Sequence, residues 1–322
     1  MTPQVTVVMP TYNAEAYLEL AVRSVLDQTF RDLELWVYDD GSTDSTLSLL
    51  QAISEQDPRL RITGGQHRGY LAWLNEGLRE VRSPYYARMD ADDICLRRRL
   101  ESQVAFLDAH PDVVMVGTQV ERMDDRGRPL MRSALPTTHA GLEAALLQGN
   151  CTVCHPSVVL RREAAERVGG YREAFYRTED LDLWLRLAEV GQLANLEEVL
   201  LRYRVHGRSV TSQHGSDQRS KARQAVREAC ERRGLDPEPR LAMLEGSNPL
   251  RGTHAGIALE ALRGGYRGTA LRHALRGVVH GPRVASAKVL PAAVFGKWLG
   301  VLLRRWRRRL LGEKAGPEDA AR

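Results

Sequence analysis

Three carboxylates close a short apolar segment in the stretch Tyr85-Tyr86-Ala87-Arg88-Met89-Asp90-Ala91-Asp92-Asp93. Asp90 and Asp92 are two residues apart, and side chains at that spacing in an extended chain point to the same side. Two carboxylates held this close repel each other unless a positive charge lies nearby. Mg²⁺ and Mn²⁺ prefer oxygen ligands and often bind through one or two carboxylates together with substrate phosphates. The pattern therefore indicates a divalent-cation site; a solvated acidic turn that caps the next helix is the alternative.

Two other polar strings come directly after predicted strands. The β-branched run Val5–Met9 is followed by Pro10-Thr11-Tyr12-Asn13. The run Leu33–Tyr38 is followed by Asp39-Asp40-Gly41-Ser42-Thr43-Asp44. Helical apolar spacing follows each string, and such alternation of strand and helix favours a doubly wound, parallel sheet. Because ligands bind such sheets at the carboxyl ends of the strands, we expect the three polar strings to meet there and form a site.

Glu179 and Asp180 open a predicted amphipathic helix. At 100° per residue this helix has a broad apolar arc that includes Leu181, Trp184 and Leu187. Asp180 projects into the arc, whereas Glu179 falls on the polar face. Burial against apolar surface would raise the pKa of Asp180 toward that of a useful base, although the helix N-terminus acts in the opposite direction. We predict that Asp180 is a general base and Glu179 its neighbour; a simple helix cap is the alternative.

Three later strings occur with the first three in a known order: His155-Pro156-Ser157-Val158, Glu179-Asp180 and Tyr203-Arg204-Val205-His206. This combination resembles the family 2 glycosyltransferases over about residues 4–212. The resemblance implies the GT-A nucleotide-diphospho-sugar transferase fold, which is a Rossmann-like α/β fold with a mixed, mostly parallel sheet flanked by helices. It also implies an enzyme that transfers a sugar from a nucleotide diphosphate donor, with UDP-sugars favoured, to an acceptor hydroxyl with inversion.

The resemblance also implies roles for individual residues. Donor-nucleotide contacts carry over to Pro10, Tyr12, Asn13, Asp40 and Asp90, and a carboxylate such as Asp40 can accept a hydrogen bond from a ring N–H of the base. Asp92 is the expected main ligand of Mn²⁺ or Mg²⁺. Asp90 is then a ribose or metal contact, and His206 is expected near the metal.

The remaining candidate substrate contacts are His67, Arg68, His155, Glu179 and Arg208. His67 departs from the resemblance, because many family members carry Asn near this position. His155 is expected to line the acceptor or phosphate side, with a histidine at the edge of the core as the alternative. His206 and Arg208 lie in a predicted loop that could close over a diphosphate, and an ordinary surface loop is the alternative there.

Two other classes of function remain open at this point. A sugar-nucleotide synthesising nucleotidyltransferase could share the fold, but we would expect a Gly-rich, basic triphosphate loop after its first strand. Pro10-Thr11-Tyr12-Asn13 contains neither glycine nor lysine. A non-catalytic sugar-nucleotide-binding protein would tolerate the loss of Asp92 or Asp180, and both are present.

The C-terminal third carries the basic excess of the chain. From residue 216 onward there are 22 Lys and Arg against 10 Asp and Glu, while the whole chain has a formal charge of +5. We predict a catalytic domain over residues 1–215 and a basic helical extension over 216–322. Residues 289–311 are apolar and then rich in arginine around Trp306, which is typical of a helix lying on an anionic membrane surface. A helix docked on protein is the alternative, and nucleic acid is not an expected partner because no binding motif accompanies the charge.

The first residues show no basic segment followed by an apolar one, so we predict no signal peptide and a cytoplasmic protein, peripheral at the inner face of the membrane. Cys151-Thr152-Val153-Cys154-His155 matches the string that attaches c-type haem. That chemistry belongs to exported proteins, so we interpret the four cysteines as structural. A saccharide or a lipid-linked saccharide is the expected acceptor.

Overall fold

The computed structural model of the chain describes residues 2–205, 215–242 and 253–280. The chain divides into two compact units. The first comprises Met1–Arg122 with Arg132–Ser247, and the second comprises Met123–Met131 with Asn248–Arg322. The functional boundary expected at residue 215 stays a prediction.

The first unit is built on a mixed β-sheet. Its strands are β1 (Val5–Thr11), β2 (Leu33–Asp39), β3 (Leu60–Gly64), β4 (Tyr85–Arg88), β5 (Ile94–Cys95), β6 (Val113–Met123), β8 (Val159–Arg161) and β9 (Gln192–Arg204), with β7 (Pro129–Arg132) beginning in the second unit. The order across the sheet is β3-β2-β1-β4-β8-β6-β9-β5. The pairs among β3, β2, β1 and β4 are parallel, whereas β8 runs antiparallel to β4 and β6. The predicted mixed α/β sheet is confirmed.

Helices cover both faces of this sheet. They are α1 (Leu18–Leu26), α2 (Thr46–Ser54), α3 (Tyr70–Glu80), α4 (Arg99–Ala109), α5 (His139–Leu146), α6 (Arg162–Arg167), α7 (Glu179–Leu187), α8 (Gly215–Arg232) and α9 (Glu238–Leu241). Two cores result, one on each face, and neighbouring strand residues enter different cores. Val7 and Met9 pack into the core under α1, while Val8 packs into the core under α3. Burial on both faces explains why β1 is almost continuously apolar.

Close packing of α3 on β1 fixes the loop that precedes this helix. A Cβ at Gly77 would lie 2.9 Å from a methyl group of Val8, so only glycine allows this approach. Gly41, which follows β2 in the positive-φ region at 76°, has a similar function. A Cβ at Gly41 would lie 3.0 Å from the carbonyl oxygen of Gly65. The loops after β2 and β3 can therefore lie against each other.

The second unit contains a turn and two helices, α10 (His254–Arg263) and α11 (Arg267–His280). Asp124 and Gly127 close the turn through a backbone hydrogen bond of 3.0 Å, and Gly127 takes a φ of 77°. The turn joins the paired strands β6 and β7. Among the residues that the structure describes, no helix combines the length and the apolar character that crossing a bilayer requires. The segment 289–311 lies outside the described residues.

Candidate active site

The loops that follow β1 and β2 are held together by Asn13. The side-chain oxygen of Asn13 accepts a hydrogen bond from the backbone N–H of Thr43 at 2.8 Å, and the backbone N–H of Asn13 donates to the Ser42 hydroxyl at 2.9 Å. Asn13 has a φ of 49°, which asparagine tolerates better than most residues. In the structure Asn13 therefore orders two loops of the predicted donor site; its contact with a nucleotide stays a prediction.

Asp40, directly after β2, is buried and fixes the start of α3. Its carboxylate accepts hydrogen bonds from the backbone N–H groups of Arg68 and Gly69 and from the indole N–H of Trp73, at 2.6, 3.0 and 2.7 Å. The ring nitrogen Nδ1 of His67 lies 2.9 Å from the same carboxylate. A carboxylate has about four lone-pair positions, so a nucleobase N–H would have to share an oxygen that is already engaged. Asp40 thus has an ordering role that the sequence did not indicate.

The aromatic ring of Tyr12 lies beside His67 on this surface. Their ring centroids are 4.7 Å apart, and about half of Tyr12 is exposed. Pro10 precedes this loop and pairs in register with Tyr38 of β2. The Arg68 guanidinium stacks on the Trp73 ring at 4.5 Å and pairs with Glu76. The structure therefore brings the sequence-predicted donor residues to one surface at the carboxyl ends of β1 and β2.

The carboxylates of Asp90, Asp92 and Asp93 form a cluster after β4, with one oxygen of each within 4.8 Å of the others. Asp93 is buried, and one of its oxygens accepts the backbone N–H of Arg204 at 2.7 Å. Among the described residues its other oxygen has no hydrogen-bond partner. Burial, followed by the charges of Asp92 and Asp90, raises the pKa of Asp93. Such crowding of like charges favours a cation, and the oxygen-only donor set suits Mg²⁺ or Mn²⁺.

Arg88 is a buried residue of this site that the sequence analysis did not identify. Its guanidinium pairs with Asp90 at 2.6 Å. Although burial acts to lower its pKa, the neighbouring Asp90 charge raises the pKa above its ordinary value, so Arg88 stays positive. The signal was available in the sequence, because Arg88 interrupts an apolar strand and a buried arginine requires an anionic partner. A metal at this cluster would share the Asp90 carboxylate with Arg88; the role of Asp92 as the main ligand stays a prediction.

Glu179 and Asp180 begin α7, and the structure corrects their predicted surroundings. The polar face on which the sequence put Glu179 is buried: Glu179 lies against Tyr70 and His155, and α8 packs against α7. Asp182 on that face pairs with Arg186 at 2.6 Å and also with Arg172. Glu179 is 5% exposed, which makes it more buried than Asp180. A helix wheel could not indicate this because both faces of α7 contact protein.

The two adjacent acids at the start of α7 affect each other's titration. Burial, followed by the charge of Asp180, raises the pKa of Glu179 to about 7. Burial also raises the pKa of Asp180, against the hydrogen bond that it accepts from the backbone N–H of Leu181. That hydrogen bond is 2.8 Å long. A carboxylate with a raised pKa is a suitable general base near neutral pH, so the expected environment of Asp180 is present.

His155 is a buried neighbour of Glu179 rather than an exposed contact. Its Nε2 lies 2.8 Å from the hydroxyl of Tyr171, and its ring meets Trp184 edge-on. Burial, followed by the charge of Arg88, lowers the pKa of His155, so the ring is neutral. The Glu179 carboxylate accepts a hydrogen bond from the Tyr70 hydroxyl at 3.0 Å. The core-edge interpretation of His155 therefore describes its surroundings; contact with substrate stays a prediction, as it does for His67, Arg68 and Glu179.

Predicted residues His206 and Arg208 lie outside the described residues. Tyr70, Trp73, Arg88 and Cys151 are site residues that the sequence analysis missed. Only Arg88 gave a sequence signal. Tyr70 and Trp73 repeat at ordinary helical spacing, and nothing in that spacing indicates that one bonds Glu179 and the other Asp40.

Proteins with similar sequences are glycosyltransferases. The family profile described as "Glycosyl transferase family 2" matches residues 6–169. An uncharacterized glycosyltransferase of Haemophilus influenzae is 31% identical over 235 residues, which cover 70% of this chain and 73% of the relative. The O-antigen biosynthesis glycosyltransferase WbnJ of Escherichia coli is 30% identical over 209 residues, which cover 64% of this chain and 81% of the relative.

Among solved structures, residues 1–349 of TarS from S. aureus in complex with UDP-GlcNAc superpose with a TM-score of 0.59. The sequence identity is 17%, and the match covers 93% of this chain and 92% of that chain. At this identity the likeness concerns the fold, and it confirms the predicted GT-A fold. The family profile spans half of the chain and includes the loops after β1, β2 and β4, so the chain belongs to glycosyltransferase family 2.

Proposed function

We propose that this glycosyltransferase moves a sugar from a nucleotide diphosphate donor to an acceptor hydroxyl with inversion at the anomeric carbon. A UDP-sugar is the preferred donor, and the fold neighbour solved with UDP-GlcNAc supports this class. Asp180 is the general base. Asp92 and Asp90 are the residues that hold Mn²⁺ or Mg²⁺, and His206 is a further candidate ligand.

The proposal rests on one buried cation, Arg88, which interacts electrostatically with two groups of acids. Arg88 pairs with Asp90 after β4, and its positive charge also acts against the rise in pKa that burial causes at Glu179 and Asp180 at the start of α7. Both groups of acids therefore lie within electrostatic range of the same guanidinium. Transfer from a diphosphate to a hydroxyl requires a proton acceptor close to the charge-neutralising groups of the leaving phosphates, and this neighbourhood supplies both.

The residues after β4 fit a hard divalent cation. The three carboxylates are clustered, and the buried Asp93 oxygen without a hydrogen-bond partner among the described residues is suited to a positive neighbour. Asp92 would be the main ligand because Arg88 already neutralises part of Asp90. A bound Mn²⁺ or Mg²⁺ would neutralise charge on the departing diphosphate.

The described side chains then have the following roles. Asp40 holds the loop 67–69 against Trp73, and the exposed Tyr12 ring beside that loop offers a surface on which a base can stack. Asp180 takes the proton of the acceptor hydroxyl as that oxygen attacks the anomeric carbon from the side opposite the diphosphate. Arg88 stays charged throughout and limits the repulsion between the carboxylates around it.

We further propose a saccharide or lipid-linked acceptor in polysaccharide synthesis, which the name of the relative WbnJ supports. The proposed location is the cytoplasm at the inner face of the membrane. Residues 289–311 are the proposed contact with anionic lipid, because their apolar part is followed by five arginines around Trp306. Both statements rest on the sequence and on the relative.

Donor turnover tests the proposal directly. The purified chain is incubated with Mn²⁺ and a panel of UDP-, GDP- and dTDP-sugars, and release of nucleoside diphosphate is recorded with and without chelator. Metal-dependent release from one donor, lost in Asp92→Ala, is the expected result. Donor binding is measured in the same samples, because turnover can be slow when the true acceptor is missing.

Asp180→Asn separates the base from the donor site. We expect it to keep donor binding and to lose roughly 10²- to 10⁴-fold in transfer rate, the range that a general base contributes. Glu173→Gln is the matched control. Glu173 is an exposed acid shortly before α7 and makes no ion pair with a described residue. If no sugar nucleotide binds in the presence of metal, the proposal is wrong.

A further inference from the structure

Cys151 contacts the proposed base and has no role in the mechanism described so far. Its Sγ–H donates to Oδ2 of Asp180 at 3.3 Å. The other oxygen of the same carboxylate accepts the backbone N–H of Leu181 at 2.8 Å. The carboxylate is therefore held at both oxygens, once by its own helix and once by a residue 29 positions earlier in the chain.

We propose that Cys151 is a positioning residue for Asp180: its thiol donates to the carboxylate, fixes the direction of the basic oxygens and favours their ionised form. This inference rests on the proposed role of Asp180. It differs from the sequence interpretation of Cys151 as a structural cysteine.

The electrostatics of the pair support the inference. The dense surroundings of the sulfur, followed by the negative charge of Asp180, raise the pKa of the Cys151 thiol well above its ordinary value, although the residue as a whole is exposed. The thiol therefore keeps its proton and serves as a donor. Burial raises the pKa of Asp180, and the hydrogen bonds from Leu181 and Cys151 together with the charge of Arg88 act against this rise. Glu179 is an adjacent acid, and the hydroxyls of Tyr70 and Tyr171 also lie within electrostatic range of Asp180.

The four cysteines of the chain are not equivalent in this respect. Cys95 and Cys230 are buried. Cys230 lies on α8 and packs into the same core as α3 and α7. Cys154 is half-buried, and its nearest charged influences are Asp93 and Asp90. Cys151 is exposed and hydrogen-bonded to Asp180. A thiol reagent added from solution should therefore report on the base through Cys151.

The first test reads the contact without any need for transferase activity. Iodoacetamide alkylation of Cys151 in the full chain is followed by peptide mass spectrometry as a function of pH, because only the thiolate reacts. Removing the neighbouring charge in Asp180→Asn should lower the thiol pKa by about one unit and increase the alkylation rate at pH 8 roughly tenfold. Glu179→Gln removes an adjacent charge that does not touch the thiol, so its alkylation rate should stay within about twofold of the wild-type rate.

The second test reads the effect of Cys151 on the base. Cys151→Ala removes the donor, and Cys151→Ser keeps one. In Cys151→Ala the acidic limb of the kcat/KM profile should move to higher pH, with a loss of roughly fivefold at pH 6 and little change in donor KM. Cys151→Ser should restore most of the loss. Cys230→Ala, a matched thiol deletion in the core, should leave the pH profile unchanged.

The two tests can fail separately. Equal alkylation rates in wild type and Asp180→Asn would overturn the contact itself, whether or not the chain proves to transfer sugar. Identical pH profiles for Cys151→Ala and Cys151→Ser would overturn the positioning role while leaving the glycosyltransferase proposal intact. A faster alkylation of Asp180→Asn in a chain that binds no sugar nucleotide in the presence of metal would support the contact and overturn the proposed function.

Discussion

Two acidic clusters in this protein have similar composition and opposite electrostatic character. The first, Asp90, Asp92 and Asp93, follows β4 in the first unit. The second combines Asp124, Asp125 and His273 in the second unit. In each cluster the potential ligand atoms lie within 4.8 Å of one another. Distance alone therefore cannot separate a metal site from a structural cluster.

The surroundings of Asp124 account for both of its oxygens. One oxygen accepts the backbone N–H groups of Arg126 and Arg128, both at 2.9 Å. The other accepts Nε–H of Arg128 at 2.7 Å and lies 2.9 Å from Nε2 of His273. Arg276 is a further cation, 3.9 Å from Asp125. This cluster is neutralised by its own chain, so we assign it to the stability of the second unit.

In the β4 cluster, Asp90 pairs with Arg88 at 2.6 Å, and Asp93 accepts the backbone N–H of Arg204. Burial, followed by the charges of Asp92 and Asp90, raises the pKa of Asp93 well above its ordinary value. At Asp124, by contrast, burial also acts to raise the pKa, but the surrounding hydrogen bonds hold it below its ordinary value. Buried carboxylates with strongly raised pKa values are typical of functional sites. The comparison teaches that the partners of each carboxylate, rather than the number of carboxylates, indicate function.

The largest expected effect is a loss of transfer activity that occurs when the β4 cluster is changed and does not occur when the Asp124 cluster is changed. Asp92→Asn should reduce metal-dependent transfer by about 10³-fold or more, because it removes the main ligand of the charge-neutralising ion. Asp125→Asn, the same change in the other cluster, should stay within about twofold. The measurement is kcat/KM for nucleoside diphosphate release over a Mn²⁺ titration. Equal losses in the two variants would show that the clusters do not differ as described.

In a stability measurement, the variant of the Asp124 cluster should show the larger effect and the variant of the Asp92 cluster the smaller one. Asp124→Ala leaves Arg128 and His273 without their buried acceptor and should cost about 3 kcal/mol in the free energy of opening of α10 and α11. Asp92→Asn relieves repulsion and should change stability by less than about 1 kcal/mol. Hydrogen exchange of residues 254–280 and of the β1 to β4 region reports the two units separately. Unchanged exchange in Asp124→Ala would contradict the structural role of this cluster.

Low pH should destabilise the second unit through protonation of Asp124. Burial acts to raise the pKa of Asp124, but hydrogen bonds from His273, Arg128 and backbone N–H groups lower it below its ordinary value. A carboxylate with a lower pKa in the folded state contributes stability above the unfolded pKa of about 3.9 and loses it as pH falls through the folded value. Wild type should lose stability from this group as pH falls below about 4, by no more than about 1.4 kcal/mol per pH unit. Asp124→Asn should show a smaller acid dependence in the same hydrogen-exchange measurement.

The smallest expected effect concerns the pair at the start of α7. Glu179→Gln keeps an acceptor for Tyr70 but removes the charge that opposes ionisation of Asp180. The acidic limb of the kcat/KM profile should therefore move to lower pH, with a gain of roughly threefold at pH 6. Glu173→Gln should leave the limb in place. A shift of the limb to higher pH in Glu179→Gln would mean that Glu179 supports the base in some other way.

Local patterns were sufficient to predict most of the catalytic unit. The strands β1, β2 and β4 are apolar runs that end in polar strings, and the ends of parallel strands must meet at one edge of a sheet. Asp40, Asp90 and Asp92 could therefore be predicted to lie at one edge of the sheet; their contacts with donor and metal stay predictions. Tyr70, Trp73 and Cys151 could not, because their functional contacts join segments 109, 33 and 29 residues apart in sequence.

The sequence by itself determined the α/β fold, the carboxylates after β4 and the acidic pair at the start of α7, since these depend on periodicity and on residue types at strand and helix ends. Only the tertiary structure decided the surroundings of each acid. It buried Glu179 beside Tyr70 and His155, directed the thiol of Cys151 toward Asp180 and paired Arg88 with Asp90, whereas it neutralised Asp124 through Arg128 and His273. The physical reason is that burial and charge pairing depend on neighbours brought together by folding, and these neighbours set whether a carboxylate stabilises the fold or can act on a substrate.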